Sequence, residues 1–437
     1  MRGLYTLLVY LVLPWLPLRL WWRGRHEPVY RQFIGERYGR YHEPVQPPVL
    51  WLHAVSLGET RAAVPLVSRL HRAYPDATVL ITHMTATGRD AGRTLFGDRV
   101  IQAWLPYDAP FAMRAFLTHF KPRAGLIMET ELWPNLMALA RDAAIPLYLV
   151  NARMSERSAT GYARVPALSR PMLAALSGIA AQSTVDATRL AALGGPVAIV
   201  TGNLKFDAPA LDAGDTLARE FKLRFGKTRP TWVAGSTRDG EEALILDALA
   251  MESLPPDSLT VIVPRHPQRF AAVAELLRQR EIPFVRRSSN SIVPPDISVV
   301  LGDSLGELRS YFAAADVAFV GGSLLPLGGQ NLIEPIAAGR PTLVGPSMFN
   351  FADATESAVA AGAAVTVANA NALIAEVSAL FADAPRRVAM RDAALAFHAA
   401  HQGAADRLWT WLAPRLAEAM NGRGTSGCAS LSPSTAD

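Results

Sequence analysis

The sequence predicts an α/β protein with two doubly wound parallel sheets, a cleft between them, and an N-terminal helix that binds a membrane. Short apolar runs alternate with helical patterns over residues 49–200 and again over 231–367, which is typical of βαβ units. A charged connector after Asp207 separates the two series, and an apolar segment over residues 4–18 precedes both. These three observations predict the fold class, and each element is considered in chain order below.

Composition limits the possible classes of protein. The chain has 437 residues, 50% of them hydrophobic, so it can bury the cores of two domains of about 200 residues each. Its single cysteine, Cys428, excludes an internal disulfide and fits a reducing compartment. The sequence has neither an HExxH motif nor a DxD pair, so we expect no metal and no other cofactor.

The first element is a predicted membrane anchor over residues 1–22. The segment 4–18 is apolar apart from Thr6 and two tyrosines, and Trp21 and Trp22 extend it to the level of the headgroups. No small-residue cleavage site follows, and arginines do, which predicts an uncleaved anchor with the body of the protein in the cytoplasm. A helix that lies on the bilayer without crossing it explains the same pattern.

The basic residues after the anchor and the formal net charge of +5 require an anionic partner. Anionic lipid headgroups fit, as does a phosphorylated lipid substrate. Nucleic acid is the competing explanation. We expect no nucleic acid partner, because the arginines adjoin an apolar segment and no recognition helix or stacking-aromatic motif is visible.

Two domains follow, over residues 23–205 and 206–420, and a Gly/Ser/Thr/Pro-rich tail over 421–437 is predicted to be disordered. Each domain contains seven predicted strands, and helices are expected over 61–73 and, at the end of the chain, 385–419. The predicted strands are 49–54, 78–82, 101–105, 124–128, 147–150, 178–181 and 198–200, then 231–234, 259–263, 283–285, 297–301, 317–320, 341–344 and 364–367.

Ligands of such sheets bind beyond the carboxyl ends of the strands, so motifs at strand ends are candidate sites. The segment WLHAVSLGET, residues 51–60, ends an apolar strand in the turn of Ser56 and Gly58 and places Glu59 where a helix begins. A helix N-terminus favours a negative charge, so we expect Glu59 to be ionised. Glu59 is either a helix-capping acid or a catalytic carboxylate.

The second half carries three candidate anion-binding segments. Ser236 and Thr237 lie in a small-residue turn between a strand and a helix, and Arg265 and His266 lie between two prolines after the next strand. The glycine-rich segment 319–341 contains two glycine pairs before a helix start. Its candidate ligand-binding residues are Gly322, Ser323, Gln330, Asn331 and Glu334.

Two further acids, Glu129 and Glu131, lie in METELWPN at residues 128–135. On a strand end they would alternate and share one face. Such a pair is suited to binding a metal or tuning a proton relay. The alternative is that either acid pairs with Arg153 or caps the backbone.

Taken together, these motifs resemble the Kdo (3-deoxy-D-manno-octulosonic acid) transferases of lipid A assembly. The resemblance extends from the anchor to the last helix. It is carried by WLHAVSLGET, METELWPN and the glycine-rich segment, and by HMTATG (83–88), LPYDAP (105–110), NARMSERS (151–158), GNLKFD (202–207), VPRHPQRF (263–270) and GDSLGEL (302–308).

The resemblance implies a GT-B architecture of two Rossmann-like domains and an inverting, metal-independent glycosyltransferase at the inner membrane. The donor would be CMP-Kdo and the acceptor a lipid A precursor, lipid IVA. Glu59 matches the family's catalytic carboxylate, and one or both of Glu129 and Glu131 would line the acceptor site. Arg31, Arg37 and Arg40 fit either that acceptor or anionic headgroups.

The resemblance also implies roles in the second domain. Glu334 matches a nucleotide-binding acid, and Ser236 and Thr237 match contacts to the phosphate or the Kdo carboxylate. The charge of the leaving phosphate would develop against Arg265, Lys205 and the backbone N–H groups near Gly322, Ser323 and Asn331. The family usually has His at the position of Gln330, and glutamine cannot titrate, which puts an acid-base role there in doubt.

Two alternatives remain open from the sequence. A related GT-B enzyme would use a UDP-sugar and another lipid acceptor. A membrane-bound nucleotide sensor without activity would have no use for Glu59.

Overall fold

The computed structural model describes residues 1–25, 27–207, 216–252 and 254–422. The chain forms two compact units, one from residues 1–208 with 402–437 and the other from residues 209–401. From residue 423 onward the tail predicted to be disordered lies outside the described residues.

The first unit is built on a seven-stranded, parallel sheet with the order β3-β2-β1-β4-β5-β6-β7. Its strands are β1 Val49–His53, β2 Thr78–His83, β3 Ile101–Trp104, β4 Pro122–Met128, β5 Leu147–Ala152, β6 Gly178–Ala181 and β7 Ala198–Val200. Its helices are α1 Arg2–Val12, α2 Leu16–Arg23, α3 Leu57–Ala62, α4 Val64–Ala73, α5 Ala86–Phe96, α6 Pro110–Phe120, α7 Pro134–Asp142, α8 Glu156–Ala163, α9 Pro166–Ala174, α10 Thr184–Ala192 and, at the C-terminus, α19 Ala404–Met420.

Alternate residues of the central strand β1 enter the cores on opposite faces of this sheet. Val49 and Trp51 belong to one buried cluster, and Leu50 and Leu52 belong to the other. Successive side chains of a strand point to opposite faces, so a strand that is apolar throughout is covered on both sides. The sheet is therefore doubly wound, as the sequence predicts.

The second unit has the same design. Its parallel sheet has the order β10-β11-β9-β8-β12-β13-β14. The strands are β8 Thr231–Thr237, β9 Leu259–Pro264, β10 Phe284–Arg286, β11 Val299–Leu301, β12 Val317–Val320, β13 Thr342–Val344 and β14 Ala364–Thr366. The helices are α11 Thr216–Phe225, α12 Glu241–Met251, α13 Phe270–Gln279, α14 Leu308–Ala314, α15 Ile333–Ala337, α16 Ala352–Ala360, α17 Ala370–Ala382 and α18 Ala384–His401.

All fourteen predicted strands are present, whereas two predicted helices are each broken in two. The helix expected over 61–73 consists of α3 and α4, and Pro65 lies in the first turn of α4, where a helix tolerates proline. The helix expected over 385–419 is interrupted at Gly403, which has a φ of 83°.

The last helix also belongs to a different unit from the one expected. Leu408, Leu412 and Leu416 of α19 pack in the same buried cluster as Leu66 and Leu70 of α4. The range 206–420 expected for the second domain therefore loses its final helix to the first unit. The sequence gives no sign of this return, since an apolar helix face does not specify its partner.

The N-terminal segment forms two helices joined by a 3₁₀ turn over Leu13–Trp15. One face contacts the first unit: Thr6 Oγ1 lies 3.0 Å from Asn135 Oδ1, and the rings of Tyr10 and Phe111 stack at 6.2 Å. The opposite face is exposed and apolar, with Leu4, Leu7, Leu8, Leu11, Val12, Trp15, Leu18, Trp21 and Trp22. Residues 2–23 are long and apolar enough to cross a membrane.

Candidate active site

Glu59 lies at the carboxyl end of β1, in the first turn of α3. Ser56 is the N-cap residue of α3, and its Oγ accepts a hydrogen bond from the Glu59 backbone N–H at 3.4 Å. The Glu59 carboxylate in turn accepts from the Val55 N–H at 2.8 Å and from the Ser56 hydroxyl at 2.9 Å. The capping role predicted for Glu59 is thus present, and it fixes the orientation of the carboxylate.

The expectation that Glu59 is ionised is wrong at neutral pH. The residue is only 8% exposed, and burial, followed by the nearby charge of Glu129, raises the pKa of its carboxyl group to about 8. The hydrogen bonds from Val55 and Ser56 lower the pKa, but by less. Loss of hydration therefore outweighs the hydrogen bonds that Glu59 accepts in this turn.

Glu129 and Glu131 do not alternate on a strand. Strand β4 ends at Met128, and Glu129 follows it at a positive φ of 56°. Both acids nevertheless lie near Glu59, since each contributes to its raised pKa. The pKa of Glu131 is itself raised, chiefly by burial. The predicted placement of this pair on a strand end is therefore wrong, although the two acids do lie close together.

Glu129 forms an ion pair with Lys205. The Lys205 Nζ lies 2.6 Å from Glu129 Oε1, and both side chains are largely buried. Such a pair is held away from water, so it fixes the position of the Glu129 charge beside Glu59. This contact places Lys205 beside the acids of the first unit.

Two residues that the sequence did not single out support this cluster. Asn151 is fully buried at a φ of 52°, and its Oδ1 accepts a hydrogen bond from the Leu204 N–H at 2.9 Å. Gly88 of α5 lies so close to the Val55–Ser56 turn that a Cβ would approach the Val55 oxygen to 2.8 Å. By contrast, a Cβ on Gly58 would meet only Ser56 Oγ, at 3.9 Å, so the surface beside Glu59 is open.

Not all arginines of the basic stretch after the anchor are exposed. Arg37 is 3% exposed, and its guanidinium lies over the Trp104 ring at 4.0 Å. Its Nη2 donates to the Met84 carbonyl at 3.1 Å. The assignment of Arg37 to a lipid-facing basic patch is therefore wrong, because cation–π stacking keeps this arginine inside the domain. Arg40 is exposed, as a headgroup contact requires.

In the second unit, Ser236 and Thr237 end strand β8 and are not a separate turn. A bulge between Gly235 and Thr237 puts Ser236 at a φ of 56°. The Thr237 hydroxyl donates to Glu242 Oε1 at 2.9 Å. The bulge displaces the strand end from its ladder, as bulges next to binding sites do.

A group of cationic and polar side chains lies around this strand end. Arg265 Nε donates to Gln330 Oε1 at 3.2 Å. Burial, then the charges of Arg238 and Arg265, lowers the pKa of His266. Arg238, which the sequence did not identify, follows Thr237 directly and is the third basic residue here. Gln330 thus acts as a hydrogen-bond partner of Arg265, and Arg238 and Arg265 bring two permanent cations to this strand end.

The backbone N–H groups of Gly322 and Ser323 are not available for a phosphate. Both donate to the carboxylate of Glu241, at 2.5 and 2.9 Å. The expectation that these groups bind the leaving phosphate is wrong for this conformation, because a buried acid of the protein already occupies them. The sequence signal for the contact between Glu241 and the glycine-rich loop is the pair of acids, Glu241 and Glu242, at the start of α12.

Asn331 and Glu334 lie together at the start of α15. The Asn331 Oδ1 accepts from the Ile333 N–H at 3.1 Å, and its Nδ2 donates to Glu334 Oε1 at 3.3 Å. Glu334 is therefore oriented by Asn331. No group of three or more His, Cys, Asp or Glu side chains suited to a metal occurs among the described residues, and independence from metal stays a prediction.

The comparisons with known proteins agree with the resemblance. Residues 32–208 match the profile of the family described as 3-Deoxy-D-manno-octulosonic-acid transferase (kdotransferase). The chain is 44% identical over 430 residues to the 3-deoxy-D-manno-octulosonic acid transferase of Bordetella pertussis, covering 94% of this chain and 99% of that one. It is 37% identical to the Haemophilus influenzae enzyme of the same name, covering 95% and 99% of the two chains.

The fold is also that of known structures. The UDP-GlcNAc 2-epimerase of Neisseria meningitidis, bound to UDP-GlcNAc, matches with a TM-score of 0.58 over 84% of this chain and 99% of that one, at 17% identity. This likeness confirms the GT-B architecture. Since the matches in sequence extend over nearly the whole length of both relatives, the chain belongs to the 3-deoxy-D-manno-octulosonic acid transferase family and is a glycosyltransferase.

Proposed function

We propose that this enzyme transfers Kdo from CMP-Kdo to lipid IVA with inversion at the anomeric carbon, and that Glu59 is the general base. The observation that carries the proposal is the environment of Glu59: a buried carboxylate with a raised pKa, oriented by Val55 and Ser56 and flanked by the Glu129–Lys205 pair. A base is most effective when its pKa lies near the working pH. The family membership supports Kdo as the sugar.

The chemistry assigned to Glu59 is a direct displacement. The acceptor hydroxyl oxygen forms a bond to the anomeric carbon as the bond from that carbon to the CMP phosphate oxygen breaks. The proton of the hydroxyl passes to Glu59, and CMP leaves with the bonding electrons. The carboxylate accepts two hydrogen bonds from the protein. A carboxylate has more lone pairs than these two bonds use, so one of them can accept the proton.

The charge of the departing phosphate is assigned to Arg265 and Arg238, with Gln330 and His266 beside them. This differs from the expectation from the sequence at three residues, because Lys205 pairs with Glu129 and the Gly322 and Ser323 N–H groups donate to Glu241. Fixed guanidinium groups stabilise a developing phosphate charge without a metal. Glu334 is kept as the ribose contact, oriented by Asn331.

The membrane-bound site of action is the cytoplasmic face of the inner membrane, with residues 2–23 lying in the plane of the bilayer. The contacts of Thr6 with Asn135 and of Tyr10 with Phe111 support this orientation, because they hold the segment against the first unit. The exposed apolar face is then free to enter one leaflet. Arg25 and Arg31 cover the Trp21 ring at 4.2 and 5.6 Å, at the depth of anionic headgroups.

A donor and acceptor test separates this proposal from the alternatives. The purified enzyme is incubated with lipid IVA and either CMP-Kdo or a UDP-sugar, and the products are analysed by mass spectrometry. We expect transfer of one or more Kdo residues from CMP-Kdo and inhibition by CMP but not by UDP. Transfer from a UDP-sugar would support the other glycosyltransferase, and CMP binding without any transfer would support the nucleotide sensor.

The raised pKa of Glu59 predicts the pH dependence of the reaction. A base must be deprotonated in the free enzyme, so kcat/KM should rise about tenfold per pH unit below pH 8 and level off above it. We expect Glu129→Gln to shift this rise to lower pH, because the Glu129 charge is the second cause of the raised pKa. Kinetics between pH 5.5 and 9.5, with donor stability checked at each pH, measure both profiles.

Glu131→Gln is the matched control for that shift. Glu131 is also an acid near Glu59, but its charge is the weakest of the causes acting on the pKa of Glu59. Its profile should move less than that of Glu129→Gln. Identical profiles for the wild type and Glu129→Gln would exclude Glu129 as a determinant of the base.

A further inference from the structure

Glu241 holds the donor-binding loops of the second unit together. It is the first residue of α12 and is fully buried. Its Oε1 accepts from the N–H groups of Ser323 and Leu324, both at 2.9 Å. Its Oε2 accepts from the N–H groups of Gly322 at 2.5 Å and Arg238 at 2.8 Å. One carboxylate therefore satisfies four backbone donors from two loops.

Successive N–H groups that converge in this way form an anion-binding nest. In many proteins such a nest holds a phosphate, whereas here a side-chain carboxylate fills it. Ser323 is fixed further, since its hydroxyl donates to the Val320 carbonyl at 2.5 Å and accepts from the Gly345 N–H at 2.8 Å. A Cβ on Gly321 would lie 2.6 Å from the Ser236 oxygen. The loop that begins at Gly321 is therefore held in one position against the end of β8.

The positions of the residues assigned to the donor phosphate depend on the position of this loop. The Cβ position of Gly322 is 3.4 Å from Arg238 Cγ and 3.1 Å from Gln330 Nε2. Gln330 in turn accepts from Arg265. Arg238, Gln330 and Arg265 therefore surround the loop that Glu241 holds, and a displacement of the loop would separate them.

We infer that Glu241 is a positioning residue for the donor: its carboxylate replaces a bound anion in the glycine-rich loop and so places Arg238, Gln330 and Arg265 for the phosphate of the nucleotide sugar. This inference rests on the proposed function, because it assumes that a CMP-sugar binds there. It further implies that the donor phosphate meets side-chain cations and not the N–H groups of Gly322 and Ser323.

Chemical rescue tests the inference. Glu241→Ala empties the nest, and formate, a carboxylate small enough to enter, should refill it. We expect CMP affinity to fall roughly 10- to 100-fold in Glu241→Ala, since several buried donors lose their acceptor. Tens of millimolar formate should restore most of that loss, whereas chloride at the same ionic strength should not. Kinetically, KM for CMP-Kdo should rise and kcat at saturating donor should change little.

Two further variants keep the test decisive. Glu241→Gln fills the same volume, so it should weaken CMP binding without rescue by formate, and it can be measured if the alanine variant does not fold. Asp186→Ala removes another buried carboxylate, which accepts the Met154 N–H at 2.7 Å in the first unit. It should lower thermal stability and leave CMP affinity unchanged.

The outcomes separate the two proposals. Wild-type affinity for CMP in both Glu241 variants, or a loss in Glu241→Ala that formate does not restore, would overturn the positioning role. CMP binding to the wild-type enzyme is measured first, by calorimetry. Failure of the wild type to bind CMP would instead overturn the proposed donor.

Discussion

Replacing Glu59 by glutamine is expected to lower kcat by roughly 10²- to 10⁴-fold, the contribution typical of a general base. Glutamine has the same shape as glutamate but cannot take a proton at neutral pH. Its carbonyl oxygen can still accept the Val55 N–H, and the Ser56 hydroxyl can rotate toward either end of the amide. The site should therefore keep its structure and its affinity for CMP while losing transfer.

The same variant should also change the stability of the enzyme in a pH-dependent way. The folded pKa of Glu59, about 8, lies above its ordinary value of 4.5, so the folded state binds more protons than the unfolded state between these two pH values. The wild type therefore loses stability as pH rises through that window. Residue 59 does not titrate in Glu59→Gln. The melting temperature of this variant should therefore rise relative to that of the wild type between pH 5 and pH 8.

Single-turnover kinetics, calorimetry with CMP and thermal melts between pH 5 and 9 measure these effects. Ser56→Ala is the matched control, because it removes one hydrogen bond to the carboxylate at 2.9 Å and keeps the base. Its kcat should fall far less than that of Glu59→Gln. A Glu59→Gln enzyme that transfers Kdo at the wild-type rate would exclude Glu59 as the base.

The sequence predicted the strands well because each one carries a local pattern. An apolar run bounded by turn residues has no other stable place in an α/β protein than a sheet covered on both faces. Helix boundaries were less certain, since α4 has a proline in its first turn and α18 ends before Gly403. The return of α19 to the first unit depends on a complementary apolar surface on α4, which no local pattern reveals.

The candidate site shows the same division between local and distant causes. The position of Glu59 follows from a strand, a glycine turn and a helix start, all within ten residues. Its pKa does not, because burial and Glu129, seventy residues further along, decide it. Likewise, the glycine pairs identified the glycine-rich loop as a candidate site, but only the fold brings Glu241 into contact with it. The basic pattern of the sequence predicted a surface charge at Arg37, whereas in the fold its guanidinium lies over the Trp104 ring.

Loss of the exposed apolar face of residues 2–23 should abolish membrane binding. We expect the combined variant Leu4→Gln, Leu8→Gln, Leu11→Gln and Trp15→Gln to bind anionic vesicles at least ~1,000-fold more weakly, because each buried apolar side chain contributes about 1.5–3 kcal/mol. These side chains are more than half exposed and do not hold the segment to the first unit. Transfer to a detergent-dispersed acceptor should continue.

The matched control removes an equal number of exposed apolar side chains elsewhere. Val197, Met251, Ile292 and Leu305 are all at least 70% exposed, and none belongs to the N-terminal segment. Their combined replacement by glutamine should leave vesicle binding, measured by flotation, unchanged. Equal losses for the two variants would show that the N-terminal face has no special part in binding the membrane.

Flotation does not distinguish a helix in the plane from one that crosses, but the position of the N-terminus does. In a Cys428→Ser background, Arg2→Cys places the only thiol at the start of α1. When this protein is added to preformed vesicles, an impermeant maleimide outside should label position 2 fully, because contacts from Thr6 to Asn135 and from Tyr10 to Phe111 keep α1 beside the first unit. A crossing helix would carry the thiol into the lumen, where only detergent exposes it. Labelling that requires detergent would therefore overturn the in-plane arrangement, and it would mean that these two contacts break when the enzyme meets the bilayer.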